Sequence, residues 1–181
     1  MKALKIAGIT LAVIALLVLI GIVVLPSTTT MERSVLIERS SSEIYPHLVS
    51  FRTFNEWSPW YKMEPNAAYS YSGPESGVGA KMAWVGQDVG SGSQEIVEVK
   101  ENEWVRYELM FEGFDDPAEA KMLLEPQESG TRLTWTFKSE MNGIYKFFGL
   151  MMDKMLGPQY EAGLNDLKVM VESAPSLEPS M

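Results

Sequence analysis

The stretch that decides the fold is WVRYELMFEGFDDPAEAKMLLEPQESGTRLTWTFKSE, residues 104–140. In Trp104 to Phe111, the residues Val105, Tyr107, Leu109 and Phe111 alternate with Arg106 and Glu108. In Ala118 to Glu125, the residues Ala118, Ala120, Met122 and Leu124 alternate with Glu119, Lys121 and Glu125. In Thr131 to Ser139, Leu133, Trp135 and Phe137 alternate with Arg132, Thr134, Thr136 and Lys138. A period of two sends successive side chains to opposite faces of a strand. Each segment therefore predicts a strand with one apolar and one mainly polar face. Strands of this kind, joined by short turns, make an antiparallel sheet that is covered on one side only.

Working outward, Ala68 to Ser72, Ala80 to Val85 and Ser93 to Lys100 extend the series. Gly73-Pro74, Gly77-Val78-Gly79 and the span from Gly86 to Gly92 read as turns between them. Nearer the N-terminus, Met31, Arg33, Val35 and Ile37 share one face of a strand that starts at Thr30. Ser40-Ser41-Ser42-Glu43 can cap a short helix containing Ile44, Tyr45, Leu48 and Val49, since hydroxyls satisfy orphan amides and an acid suits the positive end. A second short helix is expected over Phe51 to Trp57, ended by Ser58-Pro59. Beyond the strands, Ile144, Phe147, Phe148, Met151 and Met155 recur at helical spacing. After Gly157-Pro158, which should break or kink the helix, Tyr160, Leu164, Leu167 and Val171 do the same. The tail from Ala174 to Met181 is rich in Ser and Pro and reads as disordered. The order strand, short helices, strands, long helix predicts an α+β helix-grip. In it, a curved antiparallel sheet of about seven strands wraps around a long C-terminal helix over residues 30–173.

Ahead of this domain, Ile6 to Leu25 forms 20 residues without a charge or a Pro, and Thr10 is their only hydroxyl. A helix rising ~1.5 Å per residue would cover the ~30 Å hydrocarbon layer with that length. A core helix would carry polar residues on one face. A cleaved signal peptide would have a shorter apolar core, of roughly 7–15 residues, and a small-x-small site. Here Leu25-Pro26-Ser27-Thr28-Thr29-Thr30 follows instead, so an uncleaved single-pass anchor is expected. Lys2 and Lys5 precede the run and no Lys or Arg follows until Arg33. The positive-inside rule then puts residues 1–5 in the cytoplasm, the span at 6–25, a linker at 26–29 and the domain on the extracytoplasmic side, periplasmic or extracellular.

The chain of 181 residues carries 15 basic and 24 acidic residues, a net charge of −9. Because Lys2 and Lys5 precede the apolar run, the remainder is more acidic still. Such a surface repels phosphate backbones, which argues against nucleic acid as a partner. There is no Cys, so disulfides, thiolate chemistry and Cys-ligated metals are excluded. His47 is the only His, so no His-pair metal site can form. Adjacent Asp115-Asp116 reads as solvated acids in a Gly/Pro-containing loop rather than a calcium site. No cofactor and no metal is expected.

Several segments resemble polyketide-cyclase-like members of the START-like (SRPBCC, birch-pollen-allergen-like) superfamily. Phe54-Asn55-Glu56-Trp57-Ser58-Pro59-Trp60 is similar to the W-SPW segment that follows the second short helix in that group. Tyr71-Ser72-Gly73-Pro74, Gly77-Val78-Gly79-Ala80 and Gly90-Ser91-Gly92 resemble its turn signatures. Phe148-Gly149-Leu150-Met151-Met152-Asp153 with Gly157-Pro158 resembles its closing helix. The likeness covers about residues 30 to 172, and membrane-anchored members occur. It implies the helix-grip fold and a hydrophobic small-molecule partner. It transfers no catalytic residue, because the superfamily includes lipid carriers, cyclases and chaperone co-factors alike.

The aromatic and Met content carries the functional reading. Trp57, Trp60, Met82, Trp84, Tyr107, Met122, Trp135, Phe137, Met151, Met152 and Met155 are the candidates for lining an apolar cavity between sheet and helix. Flexible thioethers suit a surface that adapts to varied ligands. Glu56 and His47 are the candidate polar groups of that cavity. No catalytic constellation is recognisable: Gly90-Ser91-Gly92-Ser93 lacks the Gly-x-Ser-x-Gly elbow that presents a nucleophilic Ser. The expected function is a membrane-tethered binder of a lipid or polyketide-like compound. A cyclase or dehydratase acting on a bound carbonyl compound and a protein-interaction module are the alternatives.

Overall fold

A computed structural model describes residues 2–175. Most of the tail expected to be disordered, residues 176–181, lies outside the described residues. The chain opens with helix α1, Lys2–Val24, which is long and apolar enough to cross a membrane by length and composition. Strand β1, Thr28–Ile37, follows almost at once. Next come three short helices: α2 at Ser41–Ile44, α3 at Phe51–Trp57 and α4 at Pro59–Met63. A meander then runs through β2 Ala68–Ser72, β3 Lys81–Val85, β4 Ser91–Lys100, β5 Trp104–Phe111, β6 Ala118–Gln127 and β7 Gly130–Glu140. Helix α5, Lys146–Ser173, closes the fold.

The seven strands form one antiparallel sheet in the order β1-β7-β6-β5-β4-β3-β2. The inner face is set by the alternation in the sequence. In β7, Leu133, Trp135 and Phe137 are buried, while Arg132 and Lys138 are exposed. In β6, Ala118, Ala120, Met122 and Leu124 are buried. The register of β4 on β5 slips between Ile96 and Glu98. One unpaired residue of this kind bends the strand and sharpens its twist, which curves the sheet towards the helices.

Two local readings change in three dimensions. Ser58-Pro59 does not end the helical region; it joins two helices. The Ser58 hydroxyl accepts the Tyr61 amide at 3.4 Å, and Pro59 sits at the first position of α4. That position needs no amide hydrogen, and its fixed φ already matches a helix. Likewise, α5 runs through Gly157-Pro158 without a break. Pro158 removes the donor for the Lys154 carbonyl, but packing along the whole helix holds the axis together. At Gly157 an added Cβ would collide with the Arg33 guanidinium, so the missing side chain makes room for it. Arg33 reaches across to Asp153 at 2.8 Å and Glu161 at 2.6 Å, one on each side of the Pro.

Helix α5 also guards the free edge of β1. Lys168 donates to the Leu36 carbonyl at 2.5 Å, and Glu172 accepts the Glu38 amide at 2.7 Å. Exposed strand edges invite pairing with other chains, and these contacts occupy this one.

Candidate ligand cavity

The cavity is built from three walls. The inner face of the sheet supplies Tyr107, Leu109, Ala120, Met122, Trp135 and Phe137; α3 and α4 supply Phe54, Asn55, Ser58 and Trp60; α5 supplies Leu156 and Tyr160. Its volume is about 110 Å³, and its half-exposed rim, the mouth, includes Tyr61, Tyr69, Trp84, Val89 and Phe111. Dedicated small-molecule pockets span about 300–1,000 Å³, whereas an apolar void of about 150 Å³ holds one benzene. In this conformation the space is smaller than one that holds a benzene ring, so it accepts a short alkyl segment, with the rest of a larger molecule lying in the mouth.

Rigid aromatic packing forms the floor. Trp135 stacks on Tyr160 at 4.0 Å between ring centres, and meets Trp57 at 5.5 Å and Trp60 at 5.7 Å edge-on. Phe54 adds contacts with Trp57 at 4.6 Å and Trp135 at 5.9 Å. Edge-to-face pairs at these separations each add about 0.5–1.5 kcal/mol beyond burial. The glycines keep the approach close. Gly163 lets α5 press on Trp135 and Pro59, and Gly92 leaves room for the Trp84 ring at the mouth.

The rim is fixed by a carboxylate. Glu64, just after α4, accepts the amides of Gln87 at 2.9 Å, Asp88 at 2.9 Å and Val89 at 3.1 Å. These three bonds favour the charged form and hold the Glu64 carboxyl below the usual carboxylate range. They lock the β3–β4 turn so that Val89 lies at the mouth.

None of the lining residues is an Asp, Glu, His, Lys or Arg. The polar groups present are neutral. Burial raises Tyr107 and Tyr160 far above the ordinary phenol value, and the Tyr107 hydroxyl donates to the Leu48 carbonyl at 2.7 Å. Two others are unsatisfied: Oδ1 of Asn55 and Nε1 of Trp135 are buried without a hydrogen-bond partner among the described residues. The Asn55 amide nitrogen is occupied, donating to the Tyr71 hydroxyl at 2.8 Å and lying 3.2 Å from Met82 Sδ. A buried polar atom left unpaired costs about 1–3 kcal/mol. The lining can therefore enclose apolar surface and offer a few neutral polar groups, among them the Asn55 and Gln94 amides, the Ser58 hydroxyl and the Trp135 indole; it holds no carboxylate, imidazole or basic side chain.

Of the sequence candidates, Trp60, Met82, Trp84, Tyr107, Met122, Trp135 and Phe137 are brought together around this space. Trp57 is fully buried behind the lining, against Phe54 and Trp135. Met152 is buried in the core outside the lining, and Met151 and Met155 are exposed. The reason is rotational. The first half of α5 carries an apolar arc broader than the face it buries, and the face turned to the sheet runs through Met152, Leu156, Tyr160 and Gly163 rather than through Met151 and Met155. Glu56 is exposed on α3. His47 is half-buried and outside the lining, its Nδ1 unpartnered among the described residues and its proton affinity lowered chiefly by burial. The polar residues missed were Asn55, Ser58 and, on β4, Gln94. Phe51, Phe54, Asn55 and Ser58 follow helical spacing, which puts Asn55 inward and its neighbour Glu56 outward.

Comparison with known proteins agrees with this geometry. The family model described as "Polyketide cyclase / dehydrase and lipid transport" matches residues 28–172. No curated protein matches the chain. Among solved structures, the protein CV1439 from Chromobacterium violaceum superposes with a TM-score of 0.60 at 16% identity, covering 81% of this chain and 99% of that one. The di-domain ARO/CYC StfQ of the steffimycin biosynthetic pathway gives 0.61 at 11% identity, over 80% of this chain and 51% of that one. Aha1 from Colwellia psychrerythraea gives 0.56 at 17% identity, over 80% and 96%. At such identities the likeness is one of fold. From the strand that begins β1 to the last turns of α5, the chain belongs to the polyketide cyclase / dehydrase and lipid transport family.

Proposed function

We propose that this chain is a membrane-anchored binding domain for an apolar molecule that carries at least one oxygen function. The observation that supports it is the cavity itself: a partly open, mostly aromatic and thioether-lined space with an unpaired acceptor on Asn55 and an unpaired donor on Trp135. Each CH₂ transferred from water into such a space contributes ~0.8 kcal/mol. A hydroxyl or carbonyl on the ligand would satisfy the orphaned atoms. Trp60, Met82, Trp84, Tyr107, Met122, Trp135 and Phe137 are the contacts in this reading. Helix α1 spans the bilayer with residues 1–5 in the cytoplasm and the domain on the other side, and raises the local concentration of membrane-derived ligands.

A lining without Asp, Glu, His, Lys or Arg, in which burial raises Tyr107 and Tyr160 far above the ordinary phenol value, favours binding over acid–base catalysis. The test is photolabelling of the full chain in phosphatidylcholine nanodiscs with a diazirine-bearing fatty acid. Labels are expected on Met82, Met122 or Trp135, and Ala120→Leu, which fills the cavity, should reduce them several-fold while circular dichroism stays native. Labelling confined to α1, unaffected by Ala120→Leu, overturns the proposal.

A further inference from the structure

One face of the start of α5 is not used by the sheet. Ile144, in the tight turn Gly143–Tyr145 just ahead of α5, and Phe148, Met151 and Met155 on its first turns follow one another at intervals of four, three and four, so they form a single stripe. All four are exposed, from 37% for Phe148 to 56% for Ile144. Large exposed apolar stripes on a domain otherwise rich in charge mark contact surfaces.

Where the stripe lies is fixed by three independent sets of contacts. First, Lys146 donates to the Ile22 carbonyl at 2.8 Å and to the Leu25 carbonyl at 3.0 Å. Those carbonyls belong to the C-terminal end of α1, where orphan acceptors and the negative end of the helix dipole favour a cation. Second, the Phe147 ring covers Gly21 so closely that a Cβ there would collide with it. Third, the Met141 amide donates to the Ser27 carbonyl at 2.6 Å, and Thr28 Oγ1 to Glu140 at 2.9 Å. The connection between α1 and the sheet is therefore short and bonded along its length, and the start of α5 sits beside the end of α1.

The sheet register places the cavity mouth at the same end. Thr28 lies opposite Glu140 in β7, Lys138 opposite Glu119, Leu109 opposite Ala118, Phe111 opposite Gly92 and Gly92 opposite Trp84. Trp84 and Phe111 at the mouth thus belong to the sheet end where α1 joins, and Leu156 of the lining directly follows Met155 of the stripe.

Taking α1 as the membrane span proposed above, we propose that the Ile144–Met155 stripe is inserted into the bilayer interface beside α1, so that the cavity mouth faces the lipid. The partner is a net-neutral lipid surface. The loop at this end is acidic, with Glu112, Asp115 and Asp116 exposed and Phe114 against Tyr145 at 5.4 Å, which disfavours anionic headgroups. A ligand would then pass from the bilayer to the cavity without crossing water.

The chain has no Cys, so single-Cys variants of the full chain can be labelled with an environment-sensitive fluorophore in phosphatidylcholine vesicles. Met151→Cys and Met155→Cys report the stripe, Glu128→Cys the far end of the sheet, and Leu16→Cys the middle of α1. All four are surface positions in the protein itself, so the fold is kept. Labels at 151 and 155 are expected to be quenched several-fold more by brominated lipid, and several-fold less by iodide, than the label at 128. Iodide accessibility at 151 and 155 equal to that at 128, with the label at 16 still lipid-quenched, overturns the docking and leaves the span standing. A water-accessible label at 16 overturns both. Adding anionic lipid should lower the lipid quenching at 151; an increase overturns the assignment to a neutral surface.

Discussion

At the scale of single residues, the protein combines a nearly dry lining with a few polar atoms whose partners matter. Tyr107 shows the balance. Its hydroxyl is buried and donates to the Leu48 carbonyl, which ties the inner face of β5 to the segment between α2 and α3. Tyr107→Phe removes the donor and leaves that carbonyl without it, at a cost of about 1–3 kcal/mol. Urea unfolding of the variant should show a lower midpoint with an unchanged slope; an unchanged midpoint would mean that another donor replaces it. The cavity should behave differently. Replacing Trp135 by Phe removes an unpaired indole donor but also part of a ring packed against Phe54, Trp57, Trp60 and Tyr160, so the unfolding midpoint should fall as for a buried large-to-small change, by about 1–3 kcal/mol, while photolabelling at Met82 and Met122 weakens.

At the scale of elements, α5 does three things along its length. Its first half presents one stripe outward and another, through Met152 and Leu156, inward. Its middle accommodates Pro158 and the Arg33 side chain at Gly157. Its second half packs Tyr160, Gly163, Leu164 and Leu167 against the aromatic floor. The two glycines are therefore unequal. At Gly163 a Cβ would lie 3.0 Å from Pro59 Cδ and 3.2 Å from Trp135 Cζ3, and Trp135 is held by four other rings. Gly163→Val is expected to destabilise by about 1–3 kcal/mol through overpacking. At Gly157 only the flexible end of Arg33 stands in the way, and that side chain can swing into solvent. Gly157→Ala should thus be near neutral, since better helix propensity, up to about 1 kcal/mol, offsets the loss of two exposed ion pairs. Thermal unfolding of the two variants side by side checks the contrast.

At the scale of the whole molecule, protonation acts in one direction. Folding lowers the proton affinity of His47 by burial, so between its ordinary value of 6.5 and the lower folded value only the unfolded chain binds the proton. Stability from keeping His47 neutral is present above that window and lost as the pH falls through it. Glu64 and Glu172 are held below their ordinary value of 4.5 by backbone amides. Their contribution is present above 4.5 and lost at still lower pH. Acidification should therefore lower the unfolding midpoint in two stages. His47→Gln should remove the upper stage and leave the lower one, which thermal melts across pH 7.5 to 3, roughly the range set by these groups, will show. A variant that melts with the same upper stage would assign it elsewhere.

Local pattern in the chain was enough to set the element order, the sheet-facing residues of β5, β6 and β7, and the apolar N-terminal segment. Strand alternation and helical spacing are local, and a period of two or 3.6 leaves little freedom where each element has a polar side. The same logic fails where an element's apolar arc is broader than the face it buries. In the first half of α5, Met151 and Met152 are equally apolar neighbours, and only contact with β1, the α1 terminus and the core decided that Met152 turns in and Met151 out. Tertiary structure also decided that Ser58-Pro59 connects two helices, that Glu64 binds the β3–β4 turn 23 to 25 positions away, and that Asn55 rather than Glu56 reaches the cavity. Each of these depends on which groups a distant segment brings near, and one-dimensional patterning holds no information about that meeting.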